Sequence, residues 1–339
     1  MASVQPDQES AGPGPRIGLV LGAGGVLGAA WMTGMLPSLA RQLPCPVADL
    51  DLIVGTSAGS VIAAALRCQI GIDEMVAYQR GEGSGLLADP RLQVRDGPLP
   101  PLPSWRVGSA SLVRATLTRP HRVHPWVAAS GWLPRGRGQH VALRAMLDAV
   151  YEQSVPPAVG NGAAAGWVGR RTWIVAVDYD SGRRVFFGRP DAPAASLPDA
   201  VVASCSIPGW YEPVLIGGHR YVDGGVRSAT SLGAMARAGL DEVYVLAPMA
   251  SVHTDHPRHP VERLERRIRR MITRSLLAAA QRLRDQGIRV TLLTPGPEDL
   301  AAIGANLMDP RRREAVLDTS LRTSPTAFAQ LADSEPRPA

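Results

Sequence analysis

The chain has 339 residues, of which 45% are apolar, enough to form a sizeable buried core. Charged residues make up only 19%, a share that excludes an intrinsically disordered chain. The formal net charge is +6, and because the sequence has no lysine, all 36 basic residues are arginines. Arginine suits anionic partners such as lipid or nucleic acid, but a solvated basic surface explains the charge more simply.

Cysteine usage and the N-terminal stretch indicate the compartment. Cys45, Cys68 and Cys205 form no CxxC pair, so we expect neither a disulfide framework nor a zinc site. Residues 17–40 carry no charge and resemble a membrane span in length. Their six glycines and one proline favour a turn followed by a helix. We therefore expect a soluble, cytoplasmic protein that is at most peripheral at the membrane.

Short apolar runs alternate with helical patterns along most of the chain. Residues 16–21 predict a buried strand, and a glycine loop then leads into a helix that ends near Gln42. Further strands are predicted at 51–54, 172–177, 184–187, 242–247 and 289–293, and helices at 57–68, 141–151, 197–205 and 261–286. This alternation indicates an α/β protein whose mostly parallel sheet is covered on both faces.

The helix predicted at 261–286 is amphipathic and rich in arginine. Its apolar residues recur at helical spacing, and its arginines lie mostly elsewhere on the helix surface. This pattern favours a surface helix docked on the core over a helix that lies in a membrane surface.

The predicted organisation is a single domain over residues 16–323, between disordered tails at 1–15 and 324–339. Residues 81–139 differ from the rest because Gly and Pro crowd them and few regular elements are evident. A long irregular segment inside a compact domain is typical of a lid, a binding loop or an insertion. We therefore expect an irregular cap or insertion over 81–139.

The first chemical motif is Gly55-Thr56-Ser57-Ala58-Gly59, between a predicted strand and a predicted helix. A nucleophile elbow needs that context, because its serine stands on a sharp turn with the hydroxyl exposed. Gly55 and Gly59 remove side chains that would clash there, and the helix N-terminus favours developing negative charge. The alternative is a serine that only caps the helix.

The second motif, Gly22-Ala-Gly24-Gly25-Val-Leu-Gly28, follows the first strand. A dinucleotide-binding loop that starts at Gly22 would need its third glycine at Leu27, and the glycine comes one residue later. In an oxyanion hole, consecutive glycines let backbone N–H groups point into the site without obstruction. A tight strand-to-helix turn with no further role is the third interpretation.

The third motif, Asp223-Gly224-Gly225, follows a short apolar run. A serine hydroxyl is a poor nucleophile without a base. Because glycines follow the carboxylate, Asp223 is free to approach a serine closely and is the better candidate for that base. Taken alone, Asp-Gly-Gly is more often a β-turn.

Histidine is the usual base for a catalytic serine. His253, His256 and His259 follow Asp223 in the sequence, but they crowd a polar, proline-rich loop where solvated histidines are more natural. His219 precedes Asp223, and nothing in the sequence assigns it a role. The histidines are therefore weaker candidates than the aspartate.

The glycine-rich loop, the Gly-x-Ser-x-Gly elbow and Asp-Gly-Gly, in that order, resemble the patatin-like phospholipases, which are lipid acyl hydrolases with a Ser–Asp dyad. Residues 203–213 resemble the family's small-residue and proline segment upstream of the catalytic aspartate. Residues 178–182 resemble its strand-and-turn signature. The resemblance covers roughly residues 16–250, with a weaker echo at the C-terminal helix.

The resemblance implies a three-layer α/β/α fold in which Ser57 is the nucleophile and Asp223 the general base. The oxyanion would rest on the backbone amides of Gly24, Gly25 and Val26, and catalysis would need no cofactor and no metal. Water activated by Asp223 would hydrolyse the acyl-enzyme. The expected partner is a lipid or another acyl ester, with transient contact at a membrane surface, and not a nucleic acid.

One position departs from the family pattern. Many members carry Arg or Lys just before the last glycine of the loop, where this sequence has Leu27. The loss of that supporting residue motivates an alternative, a catalytically silent binding or scaffolding protein on the same fold. A nucleotide- or phosphate-binding enzyme is a further alternative, and the frame of the glycines counts against it.

The tryptophans of the 81–139 segment have two interpretations. Trp105, Trp126 and Trp132, together with Leu86, Leu87 and Leu133, would form a cap over an acyl pocket, or would be ordinary core and loop anchors.

Overall fold

The computed structural model describes residues 14–83, 87, 104–118, 121, 123–154, 167, 170–253 and 260–334, which form a mixed α/β fold. The strands are β1 (Ile17–Leu21), β2 (Leu52–Thr56), β3 (Arg171–Asp178), β4 (Arg184–Phe187), β5 (Val214–Ile216), β6 (His219–Asp223), β7 (Glu242–Leu246) and β8 (Arg289–Leu293). The helices are α1 (Gly25–Ala40), α2 (Ala58–Arg67), α3 (Ile72–Arg80), α4 (Ala110–Thr118), α5 (Pro125–Trp132), α6 (Val141–Ser154), α7 (Leu197–Cys205), α8 (Pro260–Arg284), α9 (Pro297–Ile303) and α10 (Arg313–Ser334). Within these described ranges, no helix combines the length and the apolar character needed to cross a membrane.

These strands form one sheet in the order β5-β6-β3-β2-β1-β7-β8, with β4 paired on β3. The central strands β3, β2, β1, β7 and β8 run parallel. β4 and β6 each pair antiparallel with β3, and β5 pairs antiparallel with β6. β1 is buried along its whole length. Its continuous apolar sequence is typical of a parallel strand that is covered on both faces. The predicted mostly parallel sheet is confirmed.

Each face of the sheet packs against its own layer. Leu19 and Leu21 of β1 belong to a core that includes residues of α1, α2 and α7. Val20 belongs to a second core, with residues of α8 and the short 3₁₀ helix at 232–237. Successive residues of a strand point to opposite faces, so β1 contributes to both cores. The predicted three-layer α/β/α fold is confirmed.

The structure contains helices and a strand that the sequence did not predict. α4 and α5 lie within residues 81–139, where an irregular cap was expected. α3, α9 and β5 are also additions. These elements are short, and their stability depends on tertiary packing more than on local pattern.

The expected disordered tail from residue 324 is wrong as far as Ser334, where α10 ends. Pro325 lies inside this helix, although proline usually stops one. Tertiary contacts outweigh that cost, because Ser324 and Phe328 are buried and Ser324 Oγ lies 2.8 Å from Ser38 Oγ of α1. Residues 335–339 lie outside the described residues.

A buried arginine joins the N-terminal ends of β2 and β3, at the end of the strands away from the glycine motifs. Arg67, at the end of α2, is 1% exposed. Its guanidinium donates to Thr172 Oγ1 at 2.9 Å and to the carbonyl oxygens of Leu50, Arg171 and Ala48, the first two at 2.9 and 2.8 Å. Burial lowers the pKa of Arg67 to about 10, so the group is still charged at neutral pH.

Replacing Arg67 by a residue with an apolar side chain should destabilise the protein. We expect Arg67→Leu to lower the free energy of unfolding by about 3 kcal/mol or more, because several buried carbonyls lose their donor. The measurement is urea unfolding followed by circular dichroism. Arg80→Leu is the matched control, since Arg80 forms a partly exposed ion pair with Asp318 and should change stability by less than about 1 kcal/mol. Equal small losses in both variants would contradict this account.

Candidate active site

Ser57 lies between β2, which ends at Thr56, and α2, which begins at Ala58. Its backbone angles are φ 53° and ψ −123°, a region that non-glycine residues rarely occupy, at a cost of roughly 1–3 kcal/mol. The chain therefore has the sharp, strained strand-to-helix turn that an elbow serine requires.

Two glycines leave the space that this turn needs. A Cβ on Gly59 would lie 2.1 Å from the carbonyl oxygen of Leu21, and one on Gly55 would lie 2.5 Å from the Cα of Ser60. Neither clash is with a flexible side chain, so the backbone itself would have to move. Gly59 in particular lets α2 start in direct contact with the end of β1.

The side chain of Ser57 does not cap α2, although the residue occupies the N-cap position. It interacts with the carboxyl group of Asp223 instead, and this interaction lowers the pKa of that group. The backbone N–H of Ser57 donates to Ser204 Oγ at 2.9 Å. The interpretation of Ser57 as a helix cap is therefore wrong.

The register of the sheet brings Ser57 and Asp223 together. β2 ends with Thr56 opposite Val175 of β3, and the antiparallel strand β6 ends with Asp223 opposite Ala176. The two candidate residues therefore approach one another along the same side of β3, where β2 ends at one position and β6 ends at the next. Gly224 continues this close fit, since a Cβ there would lie 2.4 Å from the carbonyl oxygen of Val175.

The carboxyl group of Asp223 is buried at 5% exposure. Burial raises the pKa of Asp223 to about 6, and hydrogen bonds from the Ser57 side chain and the Gly225 N–H only partly offset that rise. The Gly225 N–H lies 2.6 Å from Asp223 Oδ1. At neutral pH this carboxyl is mostly ionised, and it is a stronger base than an ordinary aspartate.

The histidines considered from the sequence lie in other contacts where they are described. His219 Nδ1 is 3.4 Å from Asp178 Oδ2. The backbone N–H of His253 donates to Ser251 Oγ. His256 and His259 lie outside the described residues.

The glycine-rich loop joins β1 to α1, and its two ends are fixed by backbone hydrogen bonds. The N–H of Gly22 donates to Leu246 O at 2.9 Å, and the N–H of Leu27 donates to Leu307 O at 3.0 Å. Three N–H groups between these ends find no hydrogen-bond partner within the described part of the chain, namely those of Gly24, Gly25 and Val26. The loop thus offers three consecutive free donors.

Close packing accounts for the glycines of this loop. A Cβ on Gly24 would lie 2.6 Å from Pro248 Cγ, and one on Gly28 would lie 3.1 Å from the same atom. Gly25 has a φ of +59°, and a Cβ there would lie 2.7 Å from Met308 Sδ. Residues from the last third of the chain therefore press on this loop.

Leu27 is fully buried in the core that includes α1. Its side chain anchors the loop by apolar packing, and its N–H is held by the carbonyl of Leu307. The loop is therefore supported without a basic residue at this position.

The C-terminal end of α7 and the residue that follows it hold both candidate residues, a role that the sequence did not predict. Ser204 Oγ accepts from the N–H of Ser57 and donates to Val175 O at 2.6 Å. The N–H of Asp223 donates to Ser206 O at 2.9 Å. Small residues at 203–206 marked this segment in the sequence, but the partners of their hydroxyl groups depend on the sheet.

A cleft of about 160 Å³ opens beside Ser57, Gly25 and Val26. Its further lining is mostly apolar and comes from α2, α3 and α6, with Ile62, Ala65, Met75, Leu143, Met146, Leu147 and Val150. His140, also in the lining, stacks on Tyr211 with ring centroids 3.8 Å apart. The cleft suits a hydrocarbon chain with its polar end at Ser57.

The expected tryptophan cap over this cleft is not what the structure shows. Trp105 is fully exposed, Trp132 is 57% exposed and Trp126 is 51% exposed, and none of them lines the cleft. Leu87 does line it, while Leu86 lies outside the described residues.

Comparison with models of protein families finds a match to the patatin-like phospholipases over residues 19–236. This match spans more than half of the chain and includes the loop, the elbow and Asp223. The chain therefore belongs to the patatin-like phospholipase family, which supports a lipid hydrolase. A search of curated proteins finds no match.

Solved structures with a similar course of the chain include three proteins, each matched over 94% of this chain. They are VipD from Legionella pneumophila (11% identity, TM-score 0.42, 67% of its chain), the type III effector ExoU (16%, 0.35, 54%) and human GIVD cytosolic phospholipase A2 in complex with methyl γ-linolenyl fluorophosphonate (14%, 0.38, 58%). This chain spans between about half and two thirds of their lengths. Likenesses at this level say nothing about its substrate or partners.

No group of three or more His, Cys, Asp or Glu suited to a metal ion occurs among the described residues.

The elbow makes a stability prediction that does not depend on any catalytic role. We expect Gly59→Ala to lower the free energy of unfolding by about 3 kcal/mol or more, because the added methyl group meets backbone atoms. Gly71→Ala is the control, since a Cβ there meets nothing within 4 Å, and it should change stability by less than about 1 kcal/mol. Thermal unfolding measures both, and an unchanged melting temperature for Gly59→Ala would refute the close approach to Leu21.

Proposed function

We propose that this protein is a lipid acyl hydrolase in which Ser57 is the nucleophile and Asp223 is its general base. The observation that carries the proposal is that a strained serine and a buried carboxylate are brought together where β2 and β6 end beside β3. A serine needs such a base to attack an ester. Family membership supports the lipid substrate.

The acylation step follows from these contacts. Asp223 takes the hydroxyl proton as Ser57 Oγ attacks the ester carbonyl. The negative charge that develops on the carbonyl oxygen is stabilised by the free N–H groups of Gly24, Gly25 and Val26, and each such donor is worth roughly 10²–10³ in rate. Asp223 then returns the proton to the leaving alcohol, which departs and leaves an acyl-enzyme on Ser57.

Deacylation uses the same groups in reverse. A water molecule occupies the place of the departed alcohol and gives a proton to Asp223 as it attacks the acyl carbonyl. Collapse of the second tetrahedral intermediate returns the proton to Ser57 Oγ and releases the fatty acid. One base thus serves both half-reactions, and the raised pKa of Asp223 brings it nearer to the working pH.

The cleft supports a substrate with one acyl chain beside the reacting ester. Its apolar lining from α2, α3 and α6 would accept hydrocarbon, and the carbonyl would lie between Ser57 and the glycine-rich loop. We propose a phospholipid, a lysophospholipid or a related acyl ester as the substrate, met in transient contact with a membrane surface. We propose a cytoplasmic location, and no role in binding nucleic acid.

A catalytically silent scaffold is the second candidate, motivated by Leu27. The burial of Leu27 and the hydrogen bond from its N–H to Leu307 O favour an intact loop, and hence the enzyme. A nucleotide-binding role is further disfavoured because packing by Pro248 and Met308 accounts for the loop glycines.

Covalent labelling distinguishes the enzyme from the scaffold. We expect a fluorophosphonate probe to modify Ser57, as located by peptide mass spectrometry, and Ser57→Ala to abolish the adduct. Asp223→Asn should slow labelling by about 10²–10⁴-fold, since the hydroxyl loses its base. Asp178→Asn, which changes the carboxylate beside His219, is the matched control and should label at the normal rate. A folded wild-type protein that takes no label would favour the scaffold.

The pKa of Asp223 predicts the acid limb of the pH profile. The base must be ionised to act, and burial raises its pKa to about 6. We therefore expect kcat/KM for a water-soluble short-chain ester to be level near neutral pH and to fall about tenfold per pH unit below the pKa. Stopped assays in overlapping buffers measure this. An acid limb centred near the ordinary aspartate value would show that another group, or a hydrated Asp223, is the base.

A further inference from the structure

Two segments near the cleft form a small exposed ribbon, residues 104–108 and 132–138. They pair antiparallel: the N–H of Ser104 donates to Arg135 O at 3.0 Å, that of Arg135 to Arg106 O at 2.7 Å, and that of Gly108 to Leu133 O at 2.8 Å. These backbone bonds hold the two segments of the ribbon together.

The ribbon presents large apolar side chains to solvent. Trp105 is fully exposed, Trp132 is 57% exposed, Val107 is 51% exposed and Leu133 is 44% exposed. Scattered exposed apolar residues are ordinary, but four on two short hydrogen-bonded segments indicate an interaction surface. Two tryptophans in such a group suit the boundary between water and a bilayer, where an amphipathic ring has one apolar and one wet side.

The charge of the ribbon is positive. Arg106, Arg135 and Arg137 lie on it, and no carboxylate forms an ion pair with any of the three among the described residues. Glu212 follows the adjoining Tyr211, so the local balance is still cationic. Arginines beside exposed tryptophans complement the negative surface potential of anionic lipid.

The ribbon adjoins the cleft of the proposed active site. The N–H of Gly138 donates to Trp210 O at 2.9 Å, and Gly136 packs so closely that a Cβ there would lie 2.5 Å from the carbonyl carbon of Trp210. The next residue, Tyr211, lines the cleft together with Ser57. A bilayer in contact with the ribbon would thus lie beside the opening through which an acyl chain must enter.

We propose that this ribbon is the surface with which the protein lies against an anionic lipid bilayer. Trp105 and Trp132 insert at the level of the head groups, and the neighbouring arginines contact lipid phosphates. This inference rests on the proposed function, because it takes the substrate to be a lipid that resides in a bilayer.

A second exposed stripe exists on α8, and its position argues against that role. Leu264 and Ile268 are 60% and 38% exposed there, and Met271 is 41% exposed. However, α8 packs on the face of the sheet that carries Val20 and Val245, whereas the cleft is lined from the opposite face, with Ile62 and Leu147 in the other core. A bilayer held by α8 would lie against the face of the sheet opposite the cleft.

The test is co-flotation of the full chain with vesicles. Binding is measured on the Ser57→Ala background, so that lipid is not consumed, with vesicles of phosphatidylcholine plus phosphatidylglycerol and with vesicles of phosphatidylcholine alone. Trp105→Ser combined with Trp132→Ser should reduce partitioning to anionic vesicles by about tenfold or more. Arg106→Gln and Arg137→Gln should each weaken it by about fivefold, and only on anionic vesicles.

The matched control is Leu264→Ser combined with Ile268→Ser on α8, which should leave partitioning unchanged. The proposal is overturned if the tryptophan variant binds as well as its parent, if the α8 variant is the one that loses binding, or if the parent does not bind anionic vesicles. Circular dichroism melting of each variant should match that of the Ser57→Ala parent, because every side chain substituted in addition to Ser57 is exposed.

A soluble short-chain ester separates this inference from the proposed function. For this test the variants retain Ser57. The double tryptophan variant should hydrolyse the soluble ester at the wild-type rate but lose about tenfold in activity on anionic vesicles that contain the substrate lipid. An equal loss on both substrates would place the tryptophans in the catalytic site and overturn the docking role. Absence of soluble-ester hydrolysis in the wild type would instead refute the proposed function, and the flotation result would still stand.

Discussion

The candidate site depends on the register of one strand. β3 is longer than β2 and continues past the point where β2 ends, opposite Val175. The antiparallel strand β6 pairs with that overhang and ends opposite Ala176, one position further along. A serine that leaves β2 and an aspartate that ends β6 are thereby forced together. A shift of one residue in either pairing would turn one of these side chains to the other face of the sheet.

That arrangement buries a carboxylate, and the surrounding donors decide how it behaves. Water is replaced by the Ser57 hydroxyl and the Gly225 N–H, which is too little to cancel the effect of burial on the pKa of Asp223. In the proposed mechanism, this raised pKa suits Asp223 as the base that accepts the proton of Ser57. Arg67, at the opposite end of the strands, is also a buried charged group, but four acceptors surround its guanidinium. Its hydrogen bonds join the starts of β2 and β3.

The sequence predicted what is encoded locally. The buried strands, the helices of the sheet layers and the elbow follow from apolar runs and glycine spacing, and the proposed pair of Ser57 and Asp223 came from motif order. Ser204 could not be assigned its role, because its hydroxyl bridges Ser57 and Val175 across three different elements. α10 was also missed in part, since Pro325 breaks the local helical pattern and only the packing against α1 restores it.

The glycine-rich loop also depends on residues that lie far from it in the sequence. The family match stops at residue 236, yet the glycine-rich loop is held at one end by Leu246 O and at the other by Leu307 O. Met308 and Pro248 define the space in which its glycines sit. The free N–H groups of the loop therefore owe their placement to residues that the family pattern does not include. This explains how the loop can dispense with a basic residue at Leu27, because backbone carbonyls and apolar packing from the C-terminal part of the chain supply the support.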